Sequence, residues 1–469
     1  MHYLHPEGMS REANAVLAAT LWIAVWWITE AVPIPVTSLL PIVLFPLTGG
    51  LDLSTTTAAF GHRLIFLYVG GFMIAIAIER WNLHRRIALR IIHLIGTNMS
   101  RIVLGFMIAT AFLSMWISNT ATSVMMLPIG MAIVAQLEGD ARLPIDTAAA
   151  FGKALMLAIA YSASIGGMAT LIGTPPNLVF AGVVQELYDI EITFAHWFLF
   201  GLPISIVLLA ICWRYLVGLA YPLHDGAFPG GRAEIERQLQ QLGPPSYEEK
   251  AVAIVFALTA LAWITRSFLL ERWLPALDDT IIAIAGAVAL FVLPARNRRG
   301  ERLLDWESAV KLPWGIILLF GGGLALAEGF KASGLAVFIG SQLTLLQGVA
   351  LILLLFVLIA AVNFLTEITS NVATTAMILP ILAPLALTID VHPFTLMVGA
   401  TVAASCAFML PVATPPNAVV FGSGYLRIPE MVKAGIWMNL ISIVLLTLFV
   451  YFALGYLWGI DLGTFPKGW

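Results

Sequence analysis

The sequence predicts an all-α polytopic membrane protein made of two inverted repeats of five spans. Each repeat is expected to carry a re-entrant hairpin and a helix broken at Pro-Pro. Three observations predict this. The 469 residues are 60% hydrophobic and only 11% charged, where a soluble domain carries about a quarter charged residues. Many windows reach the roughly 20 apolar residues that cross a bilayer. The chain also repeats itself: Ser118-Asn119-Thr120-Ala121-Thr122, leading to Leu127-Pro128-Ile129, returns as Ser370-Asn371-Val372-Ala373-Thr374, leading to Leu379-Pro380-Ile381. Thr174-Pro175-Pro176-Asn177 returns in the same order as Thr414-Pro415-Pro416-Asn417.

Ten spans are expected, at 12–30, 32–50, 62–80, 146–172, 195–220, 250–270, 279–295, 314–330, 392–412 and 430–457. Two further apolar segments, 101–137 and 348–388, each hold a Ser-Asn motif near the middle and read as hairpins that return to the side they entered from. Irregular backbone at membrane depth is tolerated only where protein or a water-filled cavity covers it. The basic residues agree. Arg80, Arg85, Arg86, Arg90 and Arg101 form one cluster, and Arg296, Arg298, Arg299, Arg302 and Lys311 another. Re-entrant hairpins put both clusters on one side, and the loops 51–61, 186–196 and 331–347 on the other together hold a single Lys331. Lys/Arg-rich loops face the cytoplasm, so the chain is expected in the cytoplasmic membrane with a fixed orientation.

Five spans is an odd number, so the second repeat is expected to be inverted relative to the first. The first repeat covers 1–220, with hairpin 101–137 and broken helix 146–186. A cytoplasmic linker covers 221–249, with a short helix around 232–242. The second repeat covers 250–469, with hairpin 348–388 and broken helix 392–424. Asn119 and Asn371 stand 252 residues apart, as do Gly70-Gly71 and Gly322-Gly323; the Thr-Pro-Pro-Asn pair stands 240 apart. The paired glycines read as close helix contacts. Residues 83–97 are amphipathic, with Arg85, Arg86, Arg90 and His93 on one face and Leu83, Ile87, Ile91, Leu94 and Ile95 on the other. This pattern reads as a helix lying in the membrane interface. Cys212 and Cys406 sit in apolar runs and read as buried thiols. A net charge of −3 does not fit a nucleic-acid partner.

Ser, Asn and Thr are poor in a helix middle and good at a helix start. Each Ser-Asn motif should therefore end one hairpin arm and begin the next. Prolines at 175–176 and 415–416 should split spans four and nine into half-helices. Helix starts offer unpaired N–H groups and a positive dipole end to carboxylate oxygens. Carbonyls, hydroxyls and Asn oxygens suit Na+. The motifs contain no Lys or Arg, so bound Na+ is the natural source of positive charge for a dianion. Glu367, four residues before Asn371, is an intramembrane carboxylate open to either a direct or a structural role. Glu30 falls near a span end and reads as structural.

At these residues the chain resembles the divalent anion/sodium symporter family, the sodium-coupled dicarboxylate and citrate carriers. The resemblance runs over essentially the whole chain, from Trp27-Ile28-Thr29-Glu30-Ala31-Val32-Pro33-Ile34-Pro35 through both Ser-Asn motifs and both Thr-Pro-Pro-Asn loops. It implies a homodimer of scaffold and transport domains moving as an elevator. It implies a first Na+ site at Ser114, Ser118, Asn119 and the backbone of Gly167. A second is implied at Thr366, Thr369, Asn371 and the backbone of Ala413. Substrate is implied at Asn119, Thr120, Thr174, Pro175, Asn371, Val372, Thr414 and Pro415. Val372 departs from the Thr that many members carry there.

The expected activity is Na+-coupled symport of C4-dicarboxylates such as succinate, malate or fumarate across the cytoplasmic membrane. A Na+-independent dicarboxylate exchanger is the alternative, and citrate, 2-oxoglutarate and sulfate remain open as substrates. The chain has no HExxH and no Gly-x-Ser-x-Gly elbow, so an enzyme is not expected. Hairpins with opposite openings fit alternating access better than a channel.

Overall fold

The structure, a computed structural model, describes residues 8–96, 98–139, 145–223, 229–297, 300–342 and 347–467. Arg298 and Arg299 of the second basic cluster lie outside them. Among the described residues the chain forms helices and no named strand. Their order begins α1 (Arg11–Thr29), α2 (Ile34–Thr37), α3 (Leu40–Thr48), α4 (Leu53–Ala58), α5 (Arg63–Arg80) and α6 (Leu83–Ile95). The first hairpin is α7 (Met99–Ser114) and α8 (Asn119–Glu138), followed by α9 (Ile145–Gly167), α10 (Pro175–Tyr188) and α11 (Phe194–Tyr215). Then come α12 (Pro229–Gln241), α13 (Tyr247–Thr265), α14 (Asp279–Val292), α15 (Trp306–Ala309), α16 (Trp314–Ala332) and α17 (Leu335–Gln342). The second hairpin is α18 (Leu351–Leu365) and α19 (Asn371–Thr388), followed by α20 (Pro393–Ala404), α21 (Pro415–Phe421), α22 (Ile428–Phe449) and α23 (Gly455–Trp458).

Eight helical stretches among the described residues are long and apolar enough to cross a membrane, α8 and α19 among them. Not every expected span is one straight rod. The span expected at 32–50 is two pieces, α2 and α3. Pro41 has no N–H to continue the ladder, and the Ser38 hydroxyl bonds back to Ile34 O at 2.8 Å while accepting from Trp27 Nε1 at 3.2 Å. The spans expected at 279–295 and 392–412 shorten to the 14 residues of α14 and the 12 of α20.

The halves echo each other in a detail the sequence hid. A π-turn follows α11 at Leu216–Ala220 and another follows α22 at Val450–Leu454. The paired glycines do bring helices together. A Cβ on Gly70 would stand 2.7 Å from the Ala283 carbonyl carbon, and one on Gly322 would stand 2.5 Å from Ser38 O.

Helix α6 forms as expected, but its faces differ from the simple interfacial reading. Arg86 is buried, with Nε on Glu249 Oε1 at 3.0 Å and Nη1 on Gly243 O at 2.9 Å. Leu94 is 80% exposed. The linker, including α12, covers the expected polar face, and that contact decides which side of α6 is buried. Leu94 is left on the open side.

A charged seam joins two groups of helices at one end. Arg63, at the start of α5, donates to Asp278 at 2.9 Å and to Gln185 on α10 at 2.8 Å. Arg266, 3% exposed at its side chain, bonds Glu191 at 2.5 Å. Asp279 accepts from Phe194 N at 2.7 Å. Burial makes each of these charges expensive unless paired, and the seam pairs them across the α10–α11 connection.

Candidate functional site

The helix breaks fall where the polar motifs stand. Ser118 precedes α8 as its N-cap, accepting from Ala121 N at 3.1 Å. Ser370 does the same for α19, from Ala373 N at 3.5 Å. Such a cap contributes about 1 kcal/mol. Pro175 and Pro415 occupy the first turns of α10 and α21, where a missing N–H does no harm.

The two broken helices are braced in the same way. The Asn177 side-chain amide donates to Gly167 O, Met168 O and Thr170 O at 3.3, 3.3 and 2.7 Å. Asn417, its equivalent 240 residues on, donates to Ala407 O and Leu410 O at 3.2 and 3.0 Å. These acceptors are themselves 240 residues from Gly167 and Thr170. Each Asn therefore fixes the non-helical turn that separates its two half-helices.

Behind each hairpin tip lies a nest of oxygens. Ser114 Oγ sits 2.7 Å from Ala163 O and 2.5 Å from the Asn119 amide. That same amide atom stands 3.2 Å from Ala163 O and from Gly173 O. Turned one way, the amide donates its nitrogen to all three. Turned the other, it completes a cluster of four oxygens with one hydroxyl proton among them, a donor set that a small monovalent cation satisfies. The second tip repeats the pattern, with Thr366 Oγ1 2.6 Å from Asn371 Oδ1 and 3.0 Å from Ala404 O. Gly167 packs directly against Asn119: a Cβ there would come within 2.6 Å of the side-chain oxygen. Thr369 is engaged with Leu365 O at 2.9 Å and Thr374 Oγ1 at 2.6 Å.

Both tips open into one cavity of about 530 Å³. Asn119, Thr120, Thr174, Pro175, Asn371, Val372, Thr414 and Pro415 all line it, as do Ser118, Thr369 and Ala413. Ser114, Gly167 and Thr366 sit behind the lining. Helices α8, α10, α19 and α21 all begin at this cavity, so their N–H groups and positive dipole ends favour an oxyanion there. The rest of the lining is mostly apolar, with Ile34, Pro35, Phe72, Ile316 and Leu319, and Tyr68 adds a phenol. Among the described lining residues none is Lys, Arg or His, and Glu30 is the one carboxylate. Glu30 holds a left-handed φ of 48° as the cap of α1.

Sequence reasoning missed four contributors. Gly173 was readable, because it stands 240 residues before Ala413. The carbonyls of Ala163 and Ala404 carry no sequence signal, since every residue has a carbonyl. Glu30 reads from sequence as a span-end residue, yet it reaches the cavity. Glu367 does not line it. Its two oxygens only accept: from Phe408 N at 2.8 Å, Met409 N at 3.0 and 3.2 Å, Leu410 N at 3.1 Å and Asn439 Nδ2 at 2.7 Å. This carboxylate pins the turn between α20 and α21 to the second tip and to α22.

Two solved transporters share the arrangement of helices at low sequence identity. The YdaH transporter of Alcanivorax borkumensis matches with a TM-score of 0.62 at 14% identity, covering 96% of this chain and 99% of that one. MtrF of Neisseria gonorrhoeae, described as one of a class of antimetabolite efflux pumps, matches with a TM-score of 0.58 at 14% identity over 95% and 96%. These likenesses concern the fold. Sequence relatives are much nearer. The sodium-dependent dicarboxylate transporter SdcS of Staphylococcus saprophyticus is 50% identical over 463 residues, 97% of this chain and 89% of that protein. SdcS of Staphylococcus aureus is 50% identical over 466 residues, 98% of this chain and 89% of that protein. Residues 3–464 match the family described as the sodium:sulfate symporter transmembrane region, and with both hairpin tips and both Pro-Pro breaks inside that match, the chain belongs to this family.

Proposed function

We propose that this protein is a Na+-coupled symporter that takes up C4-dicarboxylates across the cytoplasmic membrane by an elevator motion. One observation carries the reading: two hairpin tips, each backed by an oxygen nest, share one cavity whose described lining holds no basic side chain. A dianion in such a cavity needs positive charge from elsewhere. Helix N-termini supply part of it, and Na+ in the nests supplies the rest. The relatives named as sodium-dependent dicarboxylate transporters support both cargoes.

In this reading Na+ takes the nest at Ser114, Asn119, Gly167 and Gly173, with Ser118 beside it. A second Na+ takes Thr366, Thr369, Asn371 and Ala413. Each Asn then faces a cation on one side and a substrate carboxylate on the other, so neither cargo binds well alone. Opposite repeat orientations would let the tips alternate their exposure, and the matched π-turns and matched Asn braces support the pairing of the halves. The polar tips belong to α7–α11 and α18–α22, and the apolar wall belongs to α1–α5 and α16. A wall that is mostly apolar, with Tyr68 and Glu30 as its polar side chains, fits a surface past which the loaded tips slide. The Arg63–Gln185 bond crosses between these two groups and would have to open during that motion, and the Arg266–Glu191 pair ties the end of α13 to the α10–α11 connection beside it. A homodimer of such subunits completes the proposal.

Reconstituted into proteoliposomes, the protein should accumulate radiolabelled succinate under an inward Na+ gradient and show only background uptake in choline. Equal uptake in choline removes the Na+ claim, and counterflow without Na+ favours an exchanger. Val372 lines the cavity beside Asn371. Val372→Thr adds a hydroxyl where a carboxylate oxygen would lie, and should change the order in which malate, fumarate and citrate compete with succinate by several-fold. An identical competition profile would exclude that position from the substrate site.

A further inference from the structure

Far from the tips in sequence, a crevice of about 540 Å³ opens between the end of α11 and the start of α22. Tyr221 and Leu219 line it from the first side, Lys433 and Trp437 from the second. The crevice lies where the apolar stretch Phe194–Ala220 ends and the apolar stretch Ile428–Trp458 begins. That is the depth of a lipid headgroup, the level at which Trp, Tyr and Lys gather.

Its chemistry is divided. Leu219 is 77% exposed and Trp437 56% exposed, so the outer lip is apolar and faces hydrocarbon. Lys433 is exposed, and among the described residues no hydrogen bond or carboxylate engages it. The one acid among the described lining residues, Glu430, is committed to Lys153 at 2.6 Å and to Arg427 N at 2.9 Å. The Tyr221 side chain is likewise unengaged by any described hydrogen bond. The floor is rigid, because the Tyr215 hydroxyl donates to Ala434 O at 3.0 Å and ties the two helices together. A π-turn, a form common at functional sites, shapes the α11 side at Leu216–Ala220.

A spare cation and a phenol at headgroup depth, with an apolar lip beside them, match an anionic phospholipid in charge and in shape. We propose that this crevice holds the headgroup of an anionic phospholipid, with its phosphate on Lys433 and Tyr221 and an acyl chain along Leu219 and Trp437. The proposal does not depend on what the central cavity transports. A single basic residue at this depth strengthens anionic-lipid binding about fivefold, which is the effect Lys433 should contribute.

The test is thermal unfolding of the purified full-length protein in detergent with added phosphatidylglycerol, phosphatidylcholine or inorganic phosphate. Phosphatidylglycerol should raise Tm by several degrees more than phosphatidylcholine, and phosphate should not reproduce the rise. Lys433→Gln should remove most of the difference between the two lipids, and Lys433→Arg should keep it. The readout is that difference within each variant, so a variant of lower overall stability still reports. Equal stabilisation by both lipids, the same rise with phosphate, or a full difference in Lys433→Gln would each overturn the proposal.

Discussion

Asn119→Ala and Asn371→Ala each abolish Na+-driven succinate uptake while the purified protein keeps its fold. Each side chain sits between an oxygen nest and the shared cavity. Removing it takes one contact from a cation and one from an anion together. A hydrogen bond to a charged group contributes about 1.5–3 kcal/mol, so losing both contacts reduces uptake by at least about a hundredfold at fixed substrate. The fold survives because the brace of each break is a different residue, Asn177 or Asn417, and the cap of each tip is Ser118 or Ser370. Size-exclusion elution and thermal unfolding check the fold, and uptake under a Na+ gradient checks the site. Wild-type uptake in either folded variant refutes the assignment.

Glu367 is the other position with a large expected effect, and the effect is of another kind. It accepts from three successive backbone N–H groups and from Asn439, while its own side chain is buried. Glu367→Ala leaves Met409 N, Leu410 N and the Asn439 amide without this acceptor in the protein interior, and Phe408 N with only the Asn439 oxygen at 3.2 Å. At about 1–3 kcal/mol for each buried unsatisfied group, the loss is large against a typical total stability of about 5–15 kcal/mol. Glu367→Ala should therefore yield little folded protein. Glu367→Gln preserves volume but turns an NH2 toward N–H donors. It should fold with a lower Tm and lose uptake by about tenfold or more, because the turn it holds leads into Ala413 and Thr414. Normal Tm and normal uptake in Glu367→Gln would show that the turn is held by its own conformation.

The architecture was legible where polar residues interrupt apolar sequence. Ser118-Asn119 and Ser370-Asn371 end one arm and start another because hydroxyl and amide side chains satisfy helix starts better than helix middles. The prolines at 175 and 415 open half-helices for a related reason. Helix α6 was legible from its two faces, one basic and one apolar, and a short helix was expected within the linker. The break between α2 and α3 was not, since Pro41 alone permits a continuous kinked helix and Ser38 decides the matter only through its contact with Trp27. The burial of Arg86 depends on the linker folding back over it, a long-range contact that periodicity does not carry. At the site, side-chain ligands could be nominated from motif and resemblance, but carbonyl ligands could not. Glu367 was visible as an anomaly; its role was not, because its partners are backbone N–H groups about 40 residues away.

The most direct measurement is a cryo-EM density map of the protein prepared with Na+ and succinate. Its predicted features are one elongated density whose two ends meet Asn119 and Asn371, and a compact density in each oxygen nest behind them. Succinate density anywhere else, or a ligand between the tips with both nests closed on their own amides at saturating Na+, would contradict the shared use of the tips by cation and anion.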